Sequence, residues 1–296
     1  MPKWLLLAVA TVVLWGVWGF LSRVVGDSMS AAQSQALSTF GLLPVFAWLG
    51  FSKRLVGTDK FRGAVYAFSG GLLGGIGNLA FYYILNRGTK AATVIPLTSL
   101  YPVVTVVLAM LVLKERLNAV QKAGVVLALT AIYLFNASEQ GNFINVWLAY
   151  ALVPIGLWGL AGLLQKMCTN HISSELSTLW FLAGYIPIAI VIFLTQKLDW
   201  QITTKAWSVV IALGLFLGLG NLTLLAAYEW NGKASVITPL SGLYPIVTVP
   251  LAIWFLGEKV TGRELTGIAL ALMSVVALSY EKKSGVADVG LVARNH

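Results

Sequence analysis

The sequence has 296 residues, of which 58% are hydrophobic and only 10% are charged. A soluble domain of this size usually carries a charge at about a quarter of its positions, so the composition excludes an ordinary soluble protein. The net charge of +9 falls in short segments between apolar runs, a pattern typical of membrane topology and contact with anionic lipid. The composition therefore predicts an integral membrane protein whose partner is the lipid bilayer and not nucleic acid.

Apolar runs of about 20 residues follow one another along the chain, and as an α-helix such a run crosses a hydrocarbon core about 30 Å thick. We predict an all-α membrane protein with ten transmembrane helices and short loops. The predicted helices are 4–24, 31–51, 62–85, 91–113, 119–136, 146–167, 174–195, 206–229, 234–256 and 262–280. The last segment, 284–296, is expected to be a disordered cytoplasmic tail.

The chain repeats itself at a spacing of 143 residues without a gap. TSLYPVVTV at 98–106 returns as SGLYPIVTV at 241–249, and LWG at 14–16 returns at 157–159. The sequence thus predicts two five-helix repeats, 1–138 and 139–283. Because five is an odd number, the second repeat enters the membrane from the opposite side, and the repeats are inverted about a pseudo-two-fold axis in the membrane plane.

The distribution of Lys and Arg predicts the orientation in the membrane. If the N-terminus is cytoplasmic, the inner segments carry 13 of the 20 Lys and Arg residues, and the outer segments carry seven. An excess of positive charge marks the cytoplasmic side. We therefore expect both termini in the cytoplasm, with the protein in a prokaryotic plasma (inner) membrane.

The repeated motifs resemble a known family. Two copies of P-L-x-x-L-Y-P-x-V-T-V, each followed by L-x-E-[RK] and a glycine-containing apolar helix, are similar to the paired EamA domains of the drug/metabolite transporter superfamily. The resemblance covers about residues 4–280. It implies a secondary transporter or exporter of a small metabolite, amino-acid-like or another small organic solute, working by alternating access through a central cavity. A carrier or flippase of lipid-linked intermediates and a proton-coupled drug exporter remain alternatives, as do a monomer and a homodimer.

Candidate substrate-binding residues are aromatic, amide and hydroxyl side chains inside the predicted helices, many of them in repeated motifs. Polar groups in a membrane span either join helices or face an aqueous cavity, and aromatic rings either pack or wall a site. Hydroxyls beside kinks can also bond their own helix. The candidates are Trp15, Trp18, Asn78, Tyr82, Thr98, Ser99, Tyr101, Trp158, Asn221, Thr238, Ser241 and Tyr244.

Lys90 and Lys233 are two further candidates because each begins a predicted helix. The helix dipole is already positive there, so a lysine at that position favours an anionic group on the solute. The alternative is that both lysines extend to lipid headgroups.

Four repeated residues are expected to be structural. Glu115 and Glu258 follow apolar helices and are expected to lean on a helix N-terminus or on neighbouring cations. Pro96 and Pro239 lie inside predicted helices and should bend or break them.

An enzyme is not expected, because the acidic residues fall in loops or near helix ends. The two histidines, His171 and His296, lie outside the predicted helices, and Cys168 is the single cysteine. These residues cannot build a metal cluster or a Ser-His site within the membrane. We therefore predict no metal and no cofactor, and a substrate that is neutral, zwitterionic or anionic.

Overall fold

The computed structural model describes residues 2–112, 114, 117–136, 146–230 and 234–280. The regular elements within these residues are helices. In the first half of the chain they are α1 (Lys3–Gly26), α2 (Ala31–Ser38), α3 (Leu43–Gly50), α4 (Lys60–Leu85), α5 (Ala91–Thr98), α6 (Tyr101–Val112) and α7 (Ala119–Asn136). In the second half they are α8 (Val146–Thr169), α9 (Ser174–Ala183), α10 (Ile186–Thr195), α11 (Thr204–Glu229), α12 (Ala234–Ser241), α13 (Pro245–Leu256) and α14 (Gly262–Ser279).

Eight helical segments among the described residues are long and apolar enough to cross a membrane. They are α1, α4, α5–α6, α8, α9–α10, α11, α12–α13 and α14, and α7 adds a shorter apolar helix, Ala119–Leu134. The predicted helix 31–51 consists of α2, a 3₁₀ turn at Thr39–Leu42, and α3. The prediction of an all-α membrane protein is confirmed.

Proline interrupts two of the spans at the same place in each half. Pro96 lies inside α5 and Pro239 inside α12, and both helices end two residues later. Proline has no N–H, so carbonyls of the preceding turn lose their partners. Ser99 and Ser241 donate hydroxyl hydrogen bonds of 2.7 Å to the carbonyls of Pro96 and Thr238. These short hydroxyls stabilise the breaks at which α6 and α13 begin.

The two halves of the chain pack closely against each other. Helix α1 packs along α11, α4 along α8, and α7 along α14. We call residues that lie 143 positions apart repeat mates. Under this relation α1 and α11 correspond to α8 and α4, so the first two packings are equivalent.

Glycines permit the backbones of neighbouring spans to touch at two equivalent places. A Cβ at Gly214 would collide with the Ser38 carbonyl and approach Gly41, and a Cβ at Gly71 would collide with the Phe181 carbonyl. Only a residue without a side chain permits such an approach. These contacts join the broken spans α2–α3 and α9–α10 to the long helices α11 and α4.

Candidate functional site

A small cavity of about 50 Å³ lies where α1, α4, α8 and α11 meet the breaks in the proline-containing spans. Seven of the candidate residues line it, and six further residues complete the wall. The lining residues are Trp15, Trp18, Gly74, Asn78, Tyr101, Trp158, Ala161, Gln165, Phe181, Tyr185, Leu217, Asn221 and Tyr244.

Five aromatic rings form much of the wall, and they pack mostly edge to face. The Trp15 ring centroid lies 6.5 Å from that of Tyr101 and 6.4 Å from that of Tyr244. Trp158 lies 6.2 Å from Tyr101 and 5.9 Å from Trp18. Edge-to-face pairs at these separations are favourable and hold the rings in fixed orientations. The wall is therefore an ordered aromatic surface contributed by both halves.

The amide side chains of Asn221 and Gln165 in the second half are hydrogen-bonded, and so is the indole of Trp158. Asn221 Nδ2 donates to the Leu217 carbonyl at 2.8 Å, four residues earlier on α11. Gln165 Nε2 donates to Asn221 Oδ1 at 3.0 Å. Trp158 Nε1 donates across the interface to the Gly74 carbonyl on α4 at 3.2 Å.

Two tyrosines near the cavity also have partners. Tyr101 Oη and Ser241 Oγ are 2.8 Å apart and share a hydrogen bond. Tyr82 is buried beside the cavity, where its Oη accepts a hydrogen bond from Trp18 Nε1 at 3.2 Å. Tyr82 therefore supports the wall by orienting Trp18 and does not itself line the cavity.

Three buried polar atoms of the lining residues have no partner in hydrogen-bond geometry within the described part of the chain, although the Thr98 side chain lies beside Tyr244 and the Tyr185 side chain lies beside Asn78. The three atoms are Trp15 Nε1, Asn78 Nδ2 and Tyr244 Oη. Asn78 and Tyr244 are only 2% and 1% exposed. A buried polar group without a partner is costly, so these atoms call for a partner that enters the cavity, either water or a solute.

The hydroxyl candidates lie behind the aromatic wall. Thr98 donates to the carbonyls of Val94 and Ile95 on its own helix. The hydroxyls of Thr238 and Tyr228 are 2.6 Å apart. Together with Ser99 and Ser241, described above, these groups complete the kinked helices, and the residues lie outside the cavity lining.

Lys90 and Glu258 belong to an ionic cluster at the N-terminus of α5. Lys90 Nζ lies 3.0 Å from both carboxylate oxygens of Glu264. Glu258 accepts hydrogen bonds from the backbone N–H groups of Ala91 and Ala92 at 2.9 and 2.8 Å. The anions that the helix dipole and the lysine favour are therefore supplied by the protein itself. In the structure Lys90 is paired with Glu264 and Glu258 caps the start of α5, and a role for Lys90 in solute binding stays a prediction.

A second ionic cluster at the start of α9 was missed from the sequence. Arg54 lies 3.2 Å from Glu175 and 2.9 Å from Glu229. Glu229 also accepts a hydrogen bond from the backbone N–H of Ser174.

Two candidates, Glu115 and Lys233, lie outside the described residues.

All six lining residues missed from the sequence break the repeat, since Gly74 and Leu217 are repeat mates of each other and Ala161 is the mate of Trp18. Gln165, Phe181 and Tyr185 line the cavity, and their repeat mates are a serine, a serine and a leucine at positions 22, 38 and 42. A search guided by repeated residues could not find them. The signal that could have found them is the opposite one, a large or polar residue in a half whose mate is small or apolar.

The apolar helical spans define an integral membrane protein with a cavity between its two halves. The model of the EamA-like transporter family matches residues 2–137 and again 145–280. The chain therefore belongs to the EamA-like transporter family, and the resemblance stated from its motifs is confirmed. With this membership, the chain is a transporter and not an enzyme.

Several known proteins are similar to this chain. An uncharacterized protein of Methanocaldococcus jannaschii is 33% identical over 135 residues, which are 46% of this chain and 97% of that protein. An uncharacterized transporter of Bacillus subtilis is 28% identical over 76% of this chain and 69% of its own. An uncharacterized transporter of Archaeoglobus fulgidus is 25% identical over 69% and 71%. A protein crystal structure of 18% identity covers 92% of this chain and 94% of its own with a TM-score of 0.68, and it supports the fold alone.

Proposed function

We propose that this transporter moves a small organic solute by alternating access, with the central cavity as the solute-binding site. The observation that carries the proposal is the cavity itself, because its wall draws residues from both halves and contains buried polar atoms without partners. A site at the interface of two internal repeats can be exposed to either side when one repeat rocks against the other.

The proposal includes ten transmembrane helices in two inverted repeats, 1–138 and 139–283. Reciprocal contacts between repeat mates support it. Thr248 donates to the Gly16 carbonyl at 2.7 Å, and its mate Thr105 donates to the Gly159 carbonyl at 2.7 Å. When each half makes the same contact with the other, a two-fold operation relates them. The Methanocaldococcus relative, which is covered almost completely by less than half of this chain, agrees with a repeat as a unit.

Two ionic clusters are suited to close the two ends of the pathway. The cluster of Lys90, Glu258 and Glu264 joins α5 to α14, and that of Arg54, Glu175 and Glu229 joins the loop after α3 to α9 and α11. Alternating access requires each end to separate in turn. With cytoplasmic termini, as we propose for a prokaryotic plasma membrane, the Arg54 cluster lies on the cytoplasmic side.

The lining residues favour a solute without net charge. They include no Asp, Glu, Lys or Arg among the residues that the structure describes, and an uncompensated charge in such a cavity is strongly disfavoured. This weighs against the proton-coupled drug exporter, which requires an acidic residue at the site.

Flux from proteoliposomes tests the proposal with a mixture of compounds, so that the substrate need not be identified first. Vesicles are loaded with an equimolar mixture of amino acids, amides, nucleosides, sugar phosphates and quaternary ammonium compounds, and released compounds are identified by mass spectrometry. We expect release of a net-neutral compound that protein-free vesicles retain. Ala161→Trp, which fills the cavity, should stop this release, whereas Val153→Trp on the exposed face of α8 should not.

Two outcomes would contradict the proposal. One is that no compound in the mixture leaves faster than from protein-free vesicles. The other is that folded Ala161→Trp protein releases solute at the wild-type rate. Translocation of a fluorescent lipid in the same vesicles, with no release of soluble compounds, would instead favour the lipid carrier.

A further inference from the structure

The three unpartnered polar atoms of the cavity are each matched by an engaged repeat mate. Trp15, Asn78 and Tyr244 have the mates Trp158, Asn221 and Tyr101. Each mate forms a hydrogen bond, to Gly74, to Leu217 and to Ser241 respectively. Both members of each pair are the same type of residue. The type of side chain therefore does not explain why one member forms a hydrogen bond and the other does not.

In two of the three cases the difference concerns a pair of equivalent backbone carbonyls, those of Gly74 and Leu217, which accept from different side chains. The Gly74 carbonyl accepts from Trp158 Nε1, and Asn78, four residues further along α4, has no partner for its Nδ2. The equivalent Leu217 carbonyl accepts from Asn221 Nδ2 instead, and Trp15 Nε1 has no partner. At the Gly74 carbonyl the tryptophan is the donor, whereas at the equivalent Leu217 carbonyl the asparagine is the donor.

A residue that breaks the repeat accounts for the opposite outcomes. Gln165 reaches Asn221 Oδ1 at 3.0 Å and orients that amide so that its Nδ2 faces the Leu217 carbonyl. The repeat mate of Gln165 is Ser22, whose hydroxyl donates to the Trp18 carbonyl on its own helix. Ser22 does not hold Asn78 in the same way, and the two halves of the site become chemically different.

We propose that Trp15 Nε1, Asn78 Nδ2 and Tyr244 Oη form the polar subsite that binds an acceptor oxygen of the transported solute. The subsite deepens the proposed function and rests on it. The indole and amide groups offer only N–H donors at these atoms, and the tyrosine hydroxyl can donate as well. Such a set favours a carbonyl or carboxylate oxygen, because two of the three atoms can only donate hydrogen bonds.

The remainder of the cavity defines the class of solute. Trp15 and Tyr244 stand edge to face at 6.4 Å, and Trp18 and Phe181 extend the apolar wall. The described lining has no fixed charge to balance an ion. The solute is therefore a net-neutral molecule, uncharged or zwitterionic, with an apolar body against the aromatic wall and an oxygen acceptor at the subsite.

Four probes that share a phenyl ring separate the possibilities for the purified protein in detergent. They are benzamide, which is uncharged, phenylalanine, which is a zwitterion, benzoate, an anion, and benzylammonium, a cation. A ligand that binds the folded state raises the unfolding temperature, and a titration of this shift yields an apparent Kd. We expect benzamide, phenylalanine or both to bind, and to bind more tightly than benzoate and benzylammonium. Benzamide alone indicates an amide-type acceptor, and phenylalanine alone indicates the carboxylate of a zwitterion.

Variants of the subsite residues test where the acceptor oxygen of the probe binds, through their effect on the apparent Kd. Trp15→Phe and Tyr244→Phe each remove one unpartnered group, and each should raise the apparent Kd about three- to tenfold, the effect of one lost hydrogen bond. Tyr244→Phe should not lower the unfolding temperature of the ligand-free protein, whereas Trp15→Phe also removes packed indole surface and should lower it slightly. The matched control is Trp254→Phe, because Trp254 is 83% exposed on α13. Its apparent Kd should stay within about twofold of the wild-type value.

Three results would overturn the subsite. They are tighter binding of benzylammonium or benzoate than of both neutral probes, no binding of any of the four, and an unchanged Kd in folded Trp15→Phe and Tyr244→Phe proteins. The vesicle flux assay is independent of this test. A protein that binds benzamide through Trp15 but releases no solute would contradict transport alone, whereas transport unaffected by Trp15→Phe and Tyr244→Phe would contradict the subsite alone.

Discussion

The two halves of the chain share a sequence pattern, but their equivalent side chains at the cavity differ in hydrogen bonding. In the second half, Trp158 and Asn221 are tied to backbone carbonyls, and Gln165 fixes the amide. In the first half, Trp15 and Asn78 present the same donors without partners. Repeated residues thus build the scaffold in both halves, while a few departures from the repeat, such as Gln165, make the two sides of the cavity chemically different.

The glycine contacts that the halves have in common should show the largest effects. Gly71→Ala and Gly214→Ala each place a Cβ against a backbone carbonyl, of Phe181 and Ser38 respectively. Because backbone cannot move aside as a side chain can, each change should destabilise by about 3 kcal/mol or more, or prevent folding. The two effects should be similar in size. Unfolding temperature and yield of folded protein measure them.

Gly156→Ala is the control for this prediction. Gly156 lies on the exposed side of α8, and a Cβ there meets nothing within 4 Å. Alanine is the better helix former, so stability should stay the same or rise by up to about 1 kcal/mol. If Gly71→Ala and Gly214→Ala were as stable as Gly156→Ala, the close packing of the halves would be incorrect.

The two tyrosines should separate engaged from unpartnered groups by the sign of their effects on stability. Tyr101→Phe removes the hydrogen bond to Ser241 and should destabilise the ligand-free protein by about 1 kcal/mol. Tyr244→Phe removes a hydroxyl without a partner and should be neutral or slightly stabilising. Thermal unfolding of both variants without ligand makes the comparison. An equal loss in both would mean that the two halves do not differ here.

Lys90 should give the smallest effect. Its Nζ pairs with Glu264 at 3.0 Å, but its side chain is 40% exposed, and such a pair contributes at most about 1 kcal/mol. Lys90→Gln should therefore lower the unfolding temperature slightly and leave the apparent Kd of benzamide or phenylalanine unchanged. A clear loss of binding in this variant would restore the lysine to the solute site.

Eight of the predicted spans are found among the described residues as helices long enough to cross a membrane, because the signal for such a helix is local. Apolar length decides whether a helix can cross the membrane, and Pro96 and Pro239 lie inside the helices that break. The cavity was predicted in part, since Trp15, Asn78, Tyr101 and their mates lie in repeated motifs. The hydroxyl candidates, such as Thr98, satisfy their own kinked helices, which the motif could not distinguish from a site.

The partners of charged residues could not be predicted, because they join distant parts of the chain. Lys90 pairs with Glu264, and Arg54 pairs with Glu175 and Glu229. No spacing along the sequence indicates such pairs. Gln165 was not predicted as a site residue for a different reason: it departs from the repeat that guided the choice of candidates.

Access to the cavity from each face of the membrane tests the central claim most directly. Cys168 is buried and is the single cysteine of the chain, so Cys168→Ser provides a background for one new cysteine at Ala161, in the cavity wall. A membrane-impermeant thiol reagent is applied to right-side-out and to inside-out vesicles. Alternating access predicts that Ala161→Cys is labelled from both faces, and that benzamide or phenylalanine slows the labelling. Labelling from one face alone, or from neither, would contradict a cavity that opens to each side in turn.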